Sequence, residues 1–103
     1  MIEILTAPKC QDCIALKTAL AHHAIPFRET EIQSLGPEEL GEIMQHALDK
    51  LVDIRLAGKS STIQEVMCAP MVRFNGTVLF PMDLLVGGCV TQQAIDCIRR
   101  LAA

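Results

Sequence analysis

Cys10 and Cys13 are separated by two residues in the run Lys9-Cys10-Gln11-Asp12-Cys13, a spacing that suits a reversible dithiol. If a helix starts just after Cys10, Cys13 falls in its first turn. The two sulfurs then come within bonding distance with little backbone movement. The free N–H groups and positive end of such a helix favour the Cys10 thiolate. Lys9 adds a neighbouring positive charge, and the Asp12 carboxylate works against it. The same pair also reads as half of a zinc site, which needs two further ligands, or as two core cysteines. The order of strand, loop, Cys-x-x-Cys and helix, in a chain of βαβ type, favours the redox dithiol.

The elements that must hold this pair follow from pattern. Ile2 to Thr6 alternates Ile2 and Ile4 against Glu3, with Leu5 serving a second buried face, and reads as a strand that Pro8 breaks. A helix is expected from about Gln11 to Ala24, rich in Ala and Leu, with Ile14, Leu16 and Leu20 as apolar contacts. Phe27 to Ile32 fits a shorter strand. Gly36-Pro37-Glu38-Glu39 is a helix start, with proline in the first turn and acids at the positive end. Leu40, Ile43, Met44, Ala47, Leu48 and Leu51 then recur at helical spacing, predicting an amphipathic helix to about Leu56. Thr62 to Met67 reads as a short extra helical turn. Met71 to Phe74 and Thr77 to Phe80 flank Asn75-Gly76, a type I′ hairpin signal, and Pro81 is expected to interrupt the second strand at a bulge or edge. Gly87-Gly88 makes a turn. A last helix runs from about Thr91, a plausible N-cap, to Leu101, with Ala94, Ile95, Ile98 and Leu101 inward.

The chain has 103 residues, enough for one domain over residues 1–103. Half its residues are hydrophobic but the only aromatics are three Phe, so Leu, Ile, Val, Ala and Met must build the core. The formal net charge is −3 and the basic residues are scattered. That pattern argues against nucleic-acid or membrane partners. The first residues read as a strand rather than a targeting segment, and no apolar run approaches the roughly 18 residues of a membrane span. A cytoplasmic location is expected, where structural disulfides are rare. The five cysteines are an odd number, unlike a secreted disulfide scaffold.

Three motifs occur in order. Ala7-Pro8-Lys9-Cys10-Gln11-Asp12-Cys13 resembles the glutaredoxin active-site loop, including its Lys before the first Cys. Cys68-Ala69-Pro70-Met71-Val72 resembles the Thr-Val-Pro segment that carries the family's cis-proline. Gly87-Gly88-Cys89 resembles the Gly-Gly turn before the last helix. The chain thus resembles the thioredoxin superfamily, and most closely its glutaredoxin branch. The resemblance implies an α/β thioredoxin fold of order β-α-β-α-β-β-α, with a central four-stranded mixed sheet flanked by helices. It implies a glutaredoxin-like disulfide oxidoreductase that reduces protein or glutathione mixed disulfides. Cys10 would attack and Cys13 resolve. Pro70 would be cis and face the dithiol, with the backbone at Ala69 pairing with a substrate peptide or with glutathione. Gly88 and Cys89 would offer N–H groups to a glutathione carboxylate, and Lys9 would flank the same surface. No bound cofactor is implied; glutathione or a reductase would donate electrons, and the partner would be a disulfide-containing protein or a small thiol. The chain departs from the branch in carrying Gln11-Asp12 in place of Pro-Tyr, and Val90-Thr91 in place of the acidic residue that follows the Gly-Gly turn.

Cys68 is expected near the dithiol, as a candidate third redox thiol. Cys10, Cys13, Cys68 and Cys89 together offer an alternative, a thiolate metal or iron–sulfur site on the same fold. A non-catalytic interaction module is a second alternative. Cys89 and Cys97 are otherwise expected to be small packing residues. His22 and His23 suit a helix C-terminus, and the five Met residues are too dispersed for a copper site.

Overall fold

β1 (Ile2–Thr6) is the axis of the protein in the computed structural model, which describes Met1 through Ala103. It lies between β2 (Phe27–Glu31), to which it is parallel, and β3 (Met71–Phe74), to which it is antiparallel. β4 (Thr77–Leu79) completes a four-stranded sheet of order β2-β1-β3-β4. The parallel pair needs a crossover, supplied by α1 (Gln11–His22). The other helices are α2 (Pro37–Leu56), α3 (Ile63–Val66), α4 (Pro81–Leu84) and α5 (Gln92–Ala102). This is the mixed sheet flanked by helices expected of a thioredoxin-like fold.

The pleat of β1 divides the core in two. Ile2 and Ile4 join Leu16 and Leu20 of α1 and Ala94, Ile95 and Ile98 of α5 in one buried cluster. Leu5 joins Ile43 and Ala47 of α2, Val66, Met71 and Phe80 in the other. Glu3 shares the Leu5 face and is only 6% exposed. The strand register sets it opposite Arg28 on β2 and Arg73 on β3. Its Oε1 accepts from Arg73 Nε at 2.8 Å and lies 2.6 Å from Arg73 Nη2. Its Oε2 accepts from the Thr30 hydroxyl at 2.6 Å and lies 3.4 Å from Arg28 Nη2. Burial pushes the Glu3 carboxyl up, but the Thr30 and Arg73 hydrogen bonds and the two positive charges outweigh it and hold the group below its ordinary value.

Several boundaries depart from the sequence pattern. α1 stops at His22 rather than Ala24 because Ala24 takes φ 55°. The Ile25 N–H then reaches back to the Leu20 carbonyl at 2.9 Å, closing the helix in a Schellman-like turn without a glycine to announce it. Ile14, expected to pack, is 52% exposed. Met44 and Leu48 are each 46% exposed, so the apolar stripe of α2 is wider than its buried edge. Pro81 does not interrupt a strand: β4 ends at Leu79, and Pro81 opens α4, with Asp83 Oδ2 accepting the Phe80 N–H at 3.0 Å. The Gly87-Gly88 turn joins two short strands the pattern did not show, β5 (Leu85–Val86) and β6 (Cys89–Val90). Both glycines have positive φ, 59° and 79°, as a two-residue I′ hairpin turn requires. α5 begins where expected, Thr91 Oγ1 accepting the Ala94 N–H at 3.1 Å. No helix is long and apolar enough to cross a membrane.

Candidate redox-active site

The site is built by the way α1 starts. Cys10 is its N-cap, in extended conformation at φ −102° and ψ 105°, and its Sγ accepts the Cys13 N–H at 3.0 Å. A sulfur takes the place that a serine or aspartate oxygen usually fills at this position. Cys13 lies in the first turn, and the two are joined in a disulfide with a Cα–Cα distance of 5.2 Å. Cys13 is 2% exposed, whereas Cys10 is half-buried. Solvent and partners therefore reach Cys10 first. A thiolate released at Cys10 would sit against the Cys13 N–H and the positive end of a 12-residue helix.

Two other segments meet α1 at this end. The first is the loop before β3. The Ala69–Pro70 peptide is cis, Pro70 is buried and Ala69 is half-buried. Cys68 is not in a disulfide; its thiol donates to the Glu65 carbonyl at 3.4 Å. Burial, and then the charge of Asp12, push that thiol up. Both effects favour the protonated thiol, a poorer nucleophile than a thiolate. The second segment is the Gly87-Gly88 turn. A Cβ at Gly88 would stand 3.9 Å from Asp12 Oδ1, and β6 packs on α1.

The structure therefore gathers Cys10, Cys13, Asp12, Cys68 and Gly88 at one end of the molecule, with Lys9, Ala69, Pro70 and Cys89 next to them in the chain. Lys9 is exposed and holds φ 56° at the turn into Cys10. Cys89, expected to be a small packing residue, is exposed on β6. Cys97 is half-buried on α5 and lines a cavity with His46, Lys50 and Phe80, away from the disulfide. No three His, Cys, Asp or Glu side chains are grouped to hold a metal ion, so the four cysteines do not converge as a metal or cluster site would need. None of the three surface cavities is lined by the residues around the disulfide. The Glu65 carbonyl is the contact that motif reading missed; Cys68 standing three residues after Glu65, beyond a short helix, was the available signal.

Over 51 residues the chain is 41% identical to the global transcriptional regulator Spx 2 of Lactococcus lactis subsp. lactis (strain IL1403). The identity is also 41% to the global transcriptional regulator Spx of Lactococcus lactis subsp. cremoris (strain MG1363). Each alignment covers 48% of this chain and 39% of the relative, so the chain matches well under half the length of these curated proteins. No protein-family model matches the chain, and no solved structure matches it significantly. The similarity does not single out the glutaredoxin branch. The mixed sheet and the disulfide at the start of α1 are those of a thioredoxin-like fold, and the partial similarity supports the thioredoxin superfamily without reaching further.

Proposed function

We propose that this chain is a thiol–disulfide oxidoreductase that reduces protein disulfides or mixed disulfides with glutathione, through Cys10. The observation that carries the reading is the asymmetry of the pair. Cys10 is the accessible N-cap sulfur of α1, and Cys13 is buried one turn away within bonding distance.

In the reduced protein the Cys10 thiolate attacks one sulfur of the substrate disulfide. A Cys10–substrate bond forms, the substrate bond breaks, and the second substrate sulfur leaves as a thiolate that takes up a proton. Cys13, deprotonated, then attacks Cys10 Sγ and expels the first substrate sulfur. Two electrons pass from the dithiol to the substrate, and the protein is left with the Cys10–Cys13 disulfide. Glutathione or a reductase returns the electrons. In this reading the substrate chain would rest against the backbone of Ala69 and Gly88–Cys89, beside the cis Pro70, with Lys9 at its border. A cytoplasmic setting fits, because thiols there are kept reduced.

A second reading draws on the similarity to two proteins named as global transcriptional regulators. In it the same disulfide is a stoichiometric switch that alters a partner contact rather than a turnover site. One assay separates the two. Reduction of a model disulfide is followed with glutathione and its reductase as donor, and separately with thioredoxin reductase. Turnover is expected with at least one donor, abolished by Cys10→Ser. If neither donor supports turnover, the oxidoreductase reading falls and the switch reading stands.

A further inference from the structure

Asp12 is a charge that the chemistry of the dithiol does not need. It lies between the two cysteines in the first turn of α1 and is half-buried. It takes part in none of the protein's ion pairs. Its Oδ1 points across to the Gly87-Gly88 turn, 3.9 Å from where a Gly88 Cβ would be. Its field reaches the Cys68 thiol on the third segment of the site. The carboxylate thus stands where all three segments meet, two residues along the chain from the sulfur that must react. For the protein's own Cys10 thiolate it is a disadvantage. The nearest positive charge in the chain, Lys9, is exposed and so is screened by solvent more strongly than half-buried Asp12.

A substrate feels the same charge. A disulfide in line with Cys10 carries the groups flanking its sulfurs over this rim, within about one Debye length (~8 Å) of the carboxylate. Resting on the oxidoreductase reading, we propose that Asp12 biases the substrate class: disulfides flanked by cationic side chains react faster, and disulfides flanked by carboxylates react more slowly. The device selects by repulsion as well as attraction. At about 8 Å in water at low salt, one unit charge changes the rate roughly 2.4-fold in either direction. The cation-to-anion preference is therefore about sixfold. Glutathione disulfide, rich in carboxylates, falls on the disfavoured side.

The test uses two linear peptide disulfides, identical except for one Lys or one Glu beside each half-cystine. The full chain, pre-reduced to the dithiol, is mixed with each in single turnover, so no donor enters the measurement. Wild type at low salt is expected to prefer the Lys peptide about sixfold. The ratio should collapse several-fold in Asp12→Asn, and in wild type at about 1 M salt, where the Debye length is ~3 Å. Comparing ratios removes both the intrinsic reactivity of each peptide and any change in the Cys10 thiol itself. A wild-type ratio near one, or an unchanged ratio in Asp12→Asn, overturns the proposal while leaving the oxidoreductase reading intact. Failure of the reduced protein to react with either peptide overturns the oxidoreductase reading, and this proposal with it.

Discussion

Removing either partner of the Glu3–Arg73 pair destabilises the fold, and the two removals differ in a way that pH exposes. Glu3 has a side-chain exposure of 8%, Arg73 of 20% and Arg28 of 70%. Arg73 is therefore the partner that counts, since an exposed pair such as Glu3–Arg28 contributes about 0–1 kcal/mol. Breaking a buried pair costs about 3–5 kcal/mol when the orphaned charge has no escape. In Glu3→Ala the guanidinium left behind is always charged, but it keeps Glu39 Oε1 at 3.7 Å and can swing its head toward water, so a loss of about 2 kcal/mol is expected, below the full cost of an orphaned buried charge. In Arg73→Ala the orphan is a buried carboxylate, and its escape is to take up a proton. From its ordinary value of 4.5, neutralisation at pH 7 costs about 3.4 kcal/mol, which caps the penalty; at pH 5.5 the cap falls to about 1.4 kcal/mol.

The sign follows from linkage. In the wild type the Glu3 carboxyl is held below its unfolded value. Its stabilisation is present above that value and is lost as the pH falls through the lower folded pKa. In Arg73→Ala the folded carboxyl is raised instead, so that variant recovers stability as the pH falls. Urea unfolding of the wild type and both variants between pH 5.5 and 7.5 measures this. The Arg73→Ala deficit should shrink by about 1–2 kcal/mol at the acid end, while the Glu3→Ala deficit stays level above pH 5. An Arg73→Ala deficit independent of pH, or a Glu3→Ala deficit below about 0.5 kcal/mol, refutes the argument that the strand register buries a working ion pair.

Other outcomes are expected from the site and its frame. Cys13→Ser should still attack through Cys10 but stall, accumulating a covalent adduct with a substrate half that intact-mass spectrometry detects; Cys10→Ser should form none. Asp12→Asn should lower the pH at which Cys10 becomes alkylated by iodoacetamide, since it removes a negative charge beside the thiolate. Thr91→Ala removes the side-chain cap of α5 and should cost about 1 kcal/mol in urea unfolding. Gly76→Ala places a side chain at φ 80° and should cost about 1 kcal/mol or more.

The frame of the fold was legible because its signals are local. Asn75-Gly76 names its own turn, Gly36-Pro37-Glu38-Glu39 names a helix start, and period-two burial in β1 assigns its faces. The misses share one cause, which is that tertiary context decided them. Nothing around Ala24 marks it as a left-handed stop; Ala accepts that conformation because the Leu20 carbonyl is satisfied by Ile25. Pro81 read as a strand defect, and what makes it a helix start instead is Asp83 capping the Phe80 N–H. Leu85-Val86 and Cys89-Val90 are too short to show a period, and only the Gly-Gly geometry between them makes them a hairpin. Glu3 read only as the polar alternate to Ile2 and Ile4. What buries it is Arg28 and Arg73, which lie far away in sequence and become neighbours only once three strands are in register.

The same distinction separates the parts of the site. Spacing alone brings Cys10 and Cys13 together, because a helix turn fixes the geometry of residues three apart. The setting of that pair depends on long-range placement. Cys68, Gly88 and Asp12 are remote in sequence or chemically unremarkable on their own. They acquire meaning when the segment before Pro70 and the Gly87-Gly88 turn close on the first turn of α1. The disulfide supplies the reactive bond, and any chain with this helix start would have it. What distinguishes this one is an unpaired carboxylate at the junction. Its charge bears on the protein's own thiolate and on an incoming disulfide alike. Because it burdens the attacking sulfur equally for every substrate, only a difference between substrates can give it a use, and charge is the property it can distinguish.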